Sequence, residues 1–412
     1  MRVCVHDHCG HPFPVQLSRW LAARGHAVLH LYAPAVEAPR GRLAQRPGDP
    51  AGLKIEAVPM PGNLAKYRPA RRYVQERAYA RRAGQRIAAF APDVVLSGNC
   101  SALVQRRLQL AAHRHGAAFV YWLQDIYALA VKRSLAGRMP RLAPVAGRLV
   151  DRMETAALAD SDAVVAITED FLPAVIGRGV HPDRAHVIPN WAPVAELTPD
   201  SRDAGARWRM RHGLGRRFLF VYAGTLGLKH EPHDLAALAR AHRDDPNVGV
   251  VVIGQGPGRA ALERAKAAEH LTNLMVLDFV PFAEMAAVMA AADVLVAMLT
   301  PEAGSFSVPS KVLTYLCGGR PVLAAMPPGN AAARTLHAAD AGLVVEPGDE
   351  AAWLAAADAL RRDPERRARM GAAGRAHAER AFAMKRIGPQ FVEVLETAAG
   401  ARADRHAGTT PA

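Results

Sequence analysis

The chain has 412 residues, half of them hydrophobic, a formal net charge of +14 and four cysteines. That length suits two domains or more with a large core, and cysteines at positions 4, 9, 100 and 317 are too scattered for a disulfide framework. The first ten residues hold His6, Asp7 and His8 inside a short apolar stretch, and no run approaches membrane-spanning length, so neither a secretory leader nor a transmembrane helix is expected, and a reducing cytoplasm is.

The charge is uneven. Residues 1–195 hold 26 Lys and Arg against 14 Asp and Glu, whereas residues 196–412 hold 26 against 24. An Arg-rich genome would raise Arg throughout, so the first half is expected to face something acidic: membrane lipid, a phosphate-bearing substrate or nucleic acid.

Residues 2–6 alternate as a short strand, 13–25 carry apolar residues at helical spacing and end in Gly25, and 27–32 read as a second strand. Strand, loop, helix and strand open a doubly wound α/β domain, where ligands sit at the carboxyl ends of strands. His6, Asp7, His8, Cys9, Gly10 and His11 crowd that edge. The residue types suit zinc, but they are nearly consecutive and lack paired spacing, so no metal is expected and the polar rim of an acceptor pocket is.

Residues 67–90 are basic and helical, with Arg68, Arg71, Arg72, Arg77, Arg81, Arg82 and Arg86 between Tyr73, Val74, Tyr79 and Ile87. A solvated helix with its aromatic face on the core and a helix lying on anionic headgroups fit this pattern equally. A strand over 92–96, a helix over 105–115 and a buried strand over 119–123 follow, the last running into Gln124-Asp125. Asp125 at that edge is either a turn residue or a functional carboxylate. Residues 129–150, with Lys132, Arg133, Arg138, Arg141 and Arg148, form a second basic amphipathic segment, and 162–167 and 186–190 read as strands.

Residues 191–217, rich in Pro, Gly and Arg, look like a linker. Strands are then expected at 218–222, 248–253, 275–279, 294–299, 322–325 and 342–346, with helices between them. Three connecting loops suit phosphate: 224–229, which holds two glycines and Lys229, 254–258, and 305–311. None is a Walker loop, since no Gly-Lys-Ser/Thr follows. In the stretch 306–325, Ser307 and Pro309 read as the start of a helix with Lys311 in its first turn, Val312, Leu313 and Leu316 as its apolar face, and Gly318-Gly319 as its end. Such a helix start is an anion site in outline. Residues 349–380 are helical and charged, 384–399 carry Ile387, Phe391, Val392 and Leu395 on one face, and 401–412 look disordered.

These residues resemble a family. "VIPN" before the linker, "YAGTLGLKHEP", "VVVIGQGPGRAALERAK", "ADVLVAML" and "GRPVLAA" are similar to glycosyltransferase family 4. The resemblance spans roughly residues 1–399 and is stronger after Val187. "WLQD", "PSK" and "LTYL" look closest to the colanic-acid-type fucosyltransferase and N-acetylfucosamine transferase branch, whose members build polysaccharide repeats on lipid-linked acceptors. The resemblance implies a GT-B fold of two Rossmann-like doubly wound parallel-sheet domains facing a central cleft. It sets an acceptor-binding domain over 1–190, the linker over 191–217, a nucleotide-sugar domain over 218–383, and a helix over 384–399 that crosses back to the first domain, with a disordered tail over 400–412.

It further implies a cytoplasmic enzyme, peripheral to the inner face of the plasma membrane. Such an enzyme uses a UDP- or GDP-sugar and a lipid-linked glycan acceptor, transfers a hexosyl-type sugar with retention, and needs neither cofactor nor metal. On the donor side stand Gly224, Thr225, Gly227, Gly254, Gly256, Phe279, Ser305, Phe306, Ser310 and Thr314, and on the acceptor side His6, His8, Gly10 and His11. Asp125, Lys229 and Lys311 are the expected catalytic groups. Two departures stand out: Phe306 and Thr314 occupy the positions of the family's Glu pair, and Thr225 that of a phosphate-binding Arg. Asp125 stands where many relatives have a His. A lapsed transferase acting as an assembly partner, which the missing Glu pair favours, and a sugar-nucleotide 2-epimerase, which the charge asymmetry disfavours, are the competing readings. The basic helices have no nucleic-acid motif beside them, so no nucleic-acid partner is expected.

Overall fold

The computed structural model describes residues 1–36, 38–65, 68–136, 143–198 and 202–407. Two compact units emerge, Met1–Pro189 with Lys385–Ala412, and Asn190–Met384.

The first unit runs β1 (Arg2–Asp7), α1 (Pro12–Ala22), β2 (Ala27–Tyr32), β3 (Leu53–Ala57), α2 (Pro69–Phe90), β4 (Val94–Gly98), α3 (Ala102–Arg114), β5 (Ala118–Leu123), α4 (Tyr127–Ala136), α5 (Ala143–Ala159), β6 (Ala163–Ala166), α6 (Leu172–Ile176) and β7 (Ala185–Val187). Its sheet has the order β3-β2-β1-β4-β5-β6-β7, with neighbouring strands parallel. The second unit runs α7 (Arg202–Arg211), β8 (Phe218–Ala223), α8 (Pro232–Ala241), β9 (Val248–Ile253), α9 (Pro257–Ala268), β10 (Leu274–Leu277), α10 (Met285–Ala291), β11 (Val294–Met298), α11 (Lys311–Cys317), β12 (Val322–Ala325), α12 (Ala331–Ala338), β13 (Gly342–Val345), α13 (Glu350–Arg362) and α14 (Pro364–Ala381). Its parallel sheet has the order β10-β9-β8-β11-β12-β13.

Helices on both faces bury the central strands completely. Hence β5 (Ala-Phe-Val-Tyr-Trp-Leu) and β9 (Val-Gly-Val-Val-Val-Ile) are buried at every position and read as apolar runs rather than alternations. In each sheet the strand order reverses beside the first strand of the unit. The crevices that this topology offers a ligand therefore lie past the carboxyl ends of β1 and β4, and of β8 and β11.

Five sequence expectations need correction. Strand β3 was not anticipated: Leu-Lys-Ile-Glu-Ala alternates weakly at a sheet edge, where Lys54 pairs with Glu56 at 2.5 Å. The expected linker 191–217 contains α7, which packs into the second unit. Trp208 is fully buried, Arg209 reaches the Ala291 carbonyl and Asp293 at 2.7 Å each, and a Cβ on Gly205 would lie 2.7 Å from the Ala290 backbone. One Trp and a close glycine contact replace the apolar stripe that would have signalled a helix. The basic segment 129–150 is two helices, α4 and α5. Arg138 and Arg141, like Tyr67 before α2, lie outside the described residues, and so does the side chain of Arg133. The helical region 349–380 breaks at Asp363-Pro364, where the Asp363 carboxylate caps α14 through the Arg366 N–H at 2.8 Å. Lastly, the helix expected over 384–399 is α15 (Met384–Ala407), which continues through eight residues read as disordered. Its Phe391 ring stands edge-on to Trp122 at 5.0 Å, and Arg402 and Arg405 near its end both reach Asp162.

Candidate functional site

The crevice of the second sheet collects two ammonium groups. Lys229, in the loop between β8 and α8, donates to the Ser307 hydroxyl at 2.6 Å. Lys311, the first residue of α11, donates to the Tyr222 hydroxyl, and its Nζ lies 3.8 Å from the centre of that ring. Tyr222 passes the bond on to the Thr225 carbonyl at 2.7 Å. The Tyr315 hydroxyl accepts from the Ala223 N–H at 2.8 Å and returns a bond to the Ala223 carbonyl at 3.1 Å. Ser307 is in turn fixed by Asn330, which donates to its carbonyl at 2.9 Å and to that of Gly304 at 3.0 Å. Strand ends, loops and α11 are thus tied into one frame around the lysines. Burial, and then the neighbouring charge of Lys229, holds the Lys311 ammonium well below the usual lysine range. Two cations beside each other in a half-buried site are the complement of a polyanion.

The helix start itself contributes less than expected. Helix α11 begins at Lys311 and has seven residues. Ser310 is already helical and its side chain caps nothing, while the hydroxyl of Ser307 is spent on Lys229. Its buried face is Val312, Tyr315 and Leu316, with Leu313 only half-buried. The helix does end in a left-handed residue, Gly319 at φ +62°.

The glycines after β9 serve packing between loops. A Cβ on Gly254 would stand 2.0 Å from the Gly224 carbonyl oxygen, and one on Gly256 2.4 Å from that of Leu226. Only Gly lets the loop after β9 lie against the loop after β8, where the Leu226 N–H meets the Gln255 carbonyl at 2.8 Å. Gly224, at φ +152°, is the glycine that meets the cation: its Cβ would lie 3.2 Å from Lys311 Nζ. Thr225, Gly227, Phe279 and Thr314 are half-buried, Ser305 and Ser310 exposed, and Phe306 buried.

The first unit presents a different edge. His6 is sealed in the core, its ring nitrogens bonded to Ser97 at 2.8 Å and Tyr79 at 2.9 Å, so it has none to offer an acceptor. Asp7, also buried, organises the loop after β1 by accepting from the backbone of Cys9 and His11 and from the Asn99 amide. His11 engages the Pro39 carbonyl, and Gly10 takes φ +72°. His8 is buried against the Tyr79 ring at 4.5 Å, and its Nε2 has no hydrogen-bond partner among the described residues. Asp125 is half-buried at the carboxyl edge, between β5 and α4. The first N–H groups of α4 are already occupied by Glu154, at 2.9 and 3.0 Å, so that helix start is closed to an anion. The structure therefore brings Lys229 and Lys311 together, with Gly224 and Thr225, and sets Asp125 with the histidines in the other unit.

Comparison with known proteins adds two family matches. The glycosyl transferase 4-like domain matches residues 12–191, and the glycosyl transferases group 1 domain matches residues 217–363. Both units are glycosyl transferase domains. The fold is GT-B: the crystal structure of Anabaena Alr3699/HepE in complex with UDP-glucose superposes with a TM-score of 0.70 at 17% identity, covering 96% of this chain and 100% of that one. Among sequence relatives, a GDP-mannose-dependent monoacylated α-(1-6)-phosphatidylinositol monomannoside mannosyltransferase of Corynebacterium glutamicum is 27% identical over 224 residues, 53% of this chain and 58% of its own. The Escherichia coli K12 protein WcaI, named for colanic acid biosynthesis, is 25% identical over 221 residues, 53% of this chain and 54% of its own. The chain thus spans just over half the length of these curated relatives.

Within the group 1 domain, sequence reasoning missed Tyr222, His230, Ser307 in its role as a lysine partner, Tyr315 and Asn330. The alternation of Phe218, Phe220 and Tyr222 signals only an apolar strand face, and Tyr315 is masked by its place on the buried stripe of α11. Their hydroxyls matter because the loops bring lysines and open carbonyls to them, which is tertiary information.

Proposed function

We propose that this protein is a retaining, metal-independent hexosyltransferase that moves a sugar from a UDP- or GDP-sugar to a lipid-linked glycan acceptor in polysaccharide biosynthesis, at the inner face of the plasma membrane. The observation that carries the reading is the pair of ammonium groups, Lys229 and Lys311, framed at the strand-order reversal of a group 1 domain. Breaking the anomeric bond leaves charge on the β-phosphate, and donors already aimed at that position lower the barrier without reorganising. A charge-assisted hydrogen bond is worth roughly 1.5–3 kcal/mol, so two lysines supply what a divalent ion otherwise would. Asp125, at the carboxyl edge of the 4-like domain, orients or deprotonates the acceptor hydroxyl in this scheme. The colanic-acid-type branch is favoured by the "PSK" and "LTYL" segments and by the likeness to WcaI.

A thermal-shift screen with UDP-, GDP- and dTDP-sugars tests the donor assignment, because a ligand that binds only the folded state raises the melting temperature with its affinity. A rise with one nucleotide class is expected; no rise with any of them overturns the reading. One observation favours a second reading, a binding partner that no longer transfers. Phe306 and Thr314 stand where the family carries its Glu pair, and Phe306 is only 6% exposed. Slow hydrolysis of the bound donor without acceptor separates the two, since a lapsed transferase leaves the donor intact.

Support for the membrane surface comes from two helix faces of the 4-like domain. On α2, Arg71, Val74, Arg77 and Arg81 are exposed at helical spacing with Tyr73 beside them. On α5, Val145, Arg148, Leu149 and Arg152 form a second stripe. Val74, Val145 and Leu149 are 62%, 68% and 59% exposed, an arrangement suited to a headgroup–acyl boundary. Each Lys or Arg near an anionic surface contributes about 1 kcal/mol. The protein should sediment with phosphatidylglycerol vesicles at low salt and be released at high salt, and Val145→Glu with Leu149→Glu should weaken this. Equal binding to phosphatidylcholine vesicles would sink the membrane assignment.

A further inference from the structure

We infer that His230 is a third hydrogen-bond donor to the donor substrate's diphosphate, presenting a neutral Nε2–H beside Lys229 and Lys311. The inference rests on the nucleotide-sugar reading of this crevice and adds a residue that neither the family matches nor the lysine pair supplies.

His230 follows Lys229 in the loop between β8 and α8, and its ring is nine-tenths buried. Nδ1 accepts the Gly227 N–H at 3.0 Å, which fixes the proton of the neutral ring on Nε2. That Nε2 makes no hydrogen bond to a described residue, yet it is not sealed away as His8 Nε2 and His30 Nε2 are. The fold has therefore buried an imidazole, set its tautomer with a backbone N–H, and left the donating nitrogen open in the loop that carries a cation. The Tyr222 ring, on which Lys311 rests, lies edge-on to it at 6.3 Å between centres. Burial, followed by the charges of Lys311 and Lys229, keeps the imidazole well below its ordinary pKa, so it stays neutral at physiological pH. Neutrality is useful here. A third cation beside two ammonium groups would repel them in the empty site, whereas a neutral N–H adds a directed bond to a phosphate oxygen without that repulsion.

The test uses the full-length protein with UDP, GDP and inorganic pyrophosphate as probes. In a histidine 15N–1H spectrum the His230 signals should show the Nε2–H tautomer, and its Nε2 resonance should move on saturation with the nucleotide that binds. His230→Leu should weaken that nucleotide by about 2- to 12-fold, the range of one neutral hydrogen bond, whereas His230→Gln, which restores a side-chain N–H, should recover most of the loss. If the wild type binds none of the three probes, the underlying donor-site reading fails. If a nucleotide binds but the Nε2 signal stays still and His230→Leu binds as tightly as the wild type, the inference alone fails. The spectrum of the wild type decides the matter even where a variant folds poorly.

Discussion

Lys311→Met should stop turnover and, at neutral pH, raise the melting temperature. Both halves follow from one placement. The ammonium is held against the Tyr222 ring and hydroxyl, half-buried and close enough to Lys229 for that charge to act on it. The folded state therefore disfavours the protonated lysine, as its lowered pKa records. Methionine fills similar space without the charge, and each 1 kcal/mol of relief shifts the midpoint by roughly 2–4 °C in a domain of this size. The sign has a pH signature. A lysine whose folded pKa is depressed destabilises the native state fully below that pKa, and the penalty fades as pH rises toward the ordinary lysine range, where the unfolded chain also loses the proton. The stability advantage of Lys311→Met should therefore shrink between neutral and alkaline pH. On the proposed transferase reading, the variant loses a preorganised donor at a developing phosphate charge, which should cost about 10²–10³ in kcat. Transfer assays and melting curves across pH read both effects. A variant within a few-fold of wild-type kcat would remove Lys311 from the mechanism, and a lower melting temperature at neutral pH would show that the ammonium is a structural anchor.

That such a residue carries a stability penalty also explains what could be read from the chain alone. Lys229 and Lys311 were visible because a cation beside glycines, after a strand or at a helix start, has few structural reasons to be there. The two doubly wound sheets were visible because apolar runs flanked by helical periodicity recur in order. The contributions of Tyr222 and His230 were not, because each depends on a partner far along the chain or on a tautomer set by a backbone contact. Gly254 and Gly256 have a packing role that the chain alone does not reveal: a Cβ on either would meet the neighbouring loop at 2.0 and 2.4 Å. The expectation for His6 did err. Its position at a strand end suggested a ligand-facing rim, but strand β1 is covered on both faces and the ring is paired within the core.

Asp162→Ala should destabilise the first unit by about 3 kcal/mol, the lower end of the cost of breaking a buried pair, and should release the end of α15. One carboxylate, with its side chain 4% exposed, joins four elements. It accepts from the Phe119 N–H at 2.8 Å at the start of β5, from His113 Nε2 at 2.9 Å at the end of α3, and from Arg405 on α15, with Arg402 at 3.8 Å, while itself preceding β6. Burial alone would raise its pKa. The bonds from His113 and Phe119, with the Arg402 charge, outweigh burial and hold the carboxyl below the ordinary aspartate range. A depressed carboxylate contributes its stability above the unfolded-state pKa and loses it as pH falls through the lower folded value. The wild type should therefore lose stability from about pH 4 downward, and Asp162→Asn, which keeps the shape without the charge, should show a shallower acid slope. Urea midpoints against pH measure this, and hydrogen exchange at residues 400–407 should rise toward the unprotected rate in Asp162→Ala. Unchanged protection there would mean that the apolar face around Phe391 holds α15 by itself, and that Asp162 and its two arginines are incidental to the ordering of a segment whose composition reads as a loose tail.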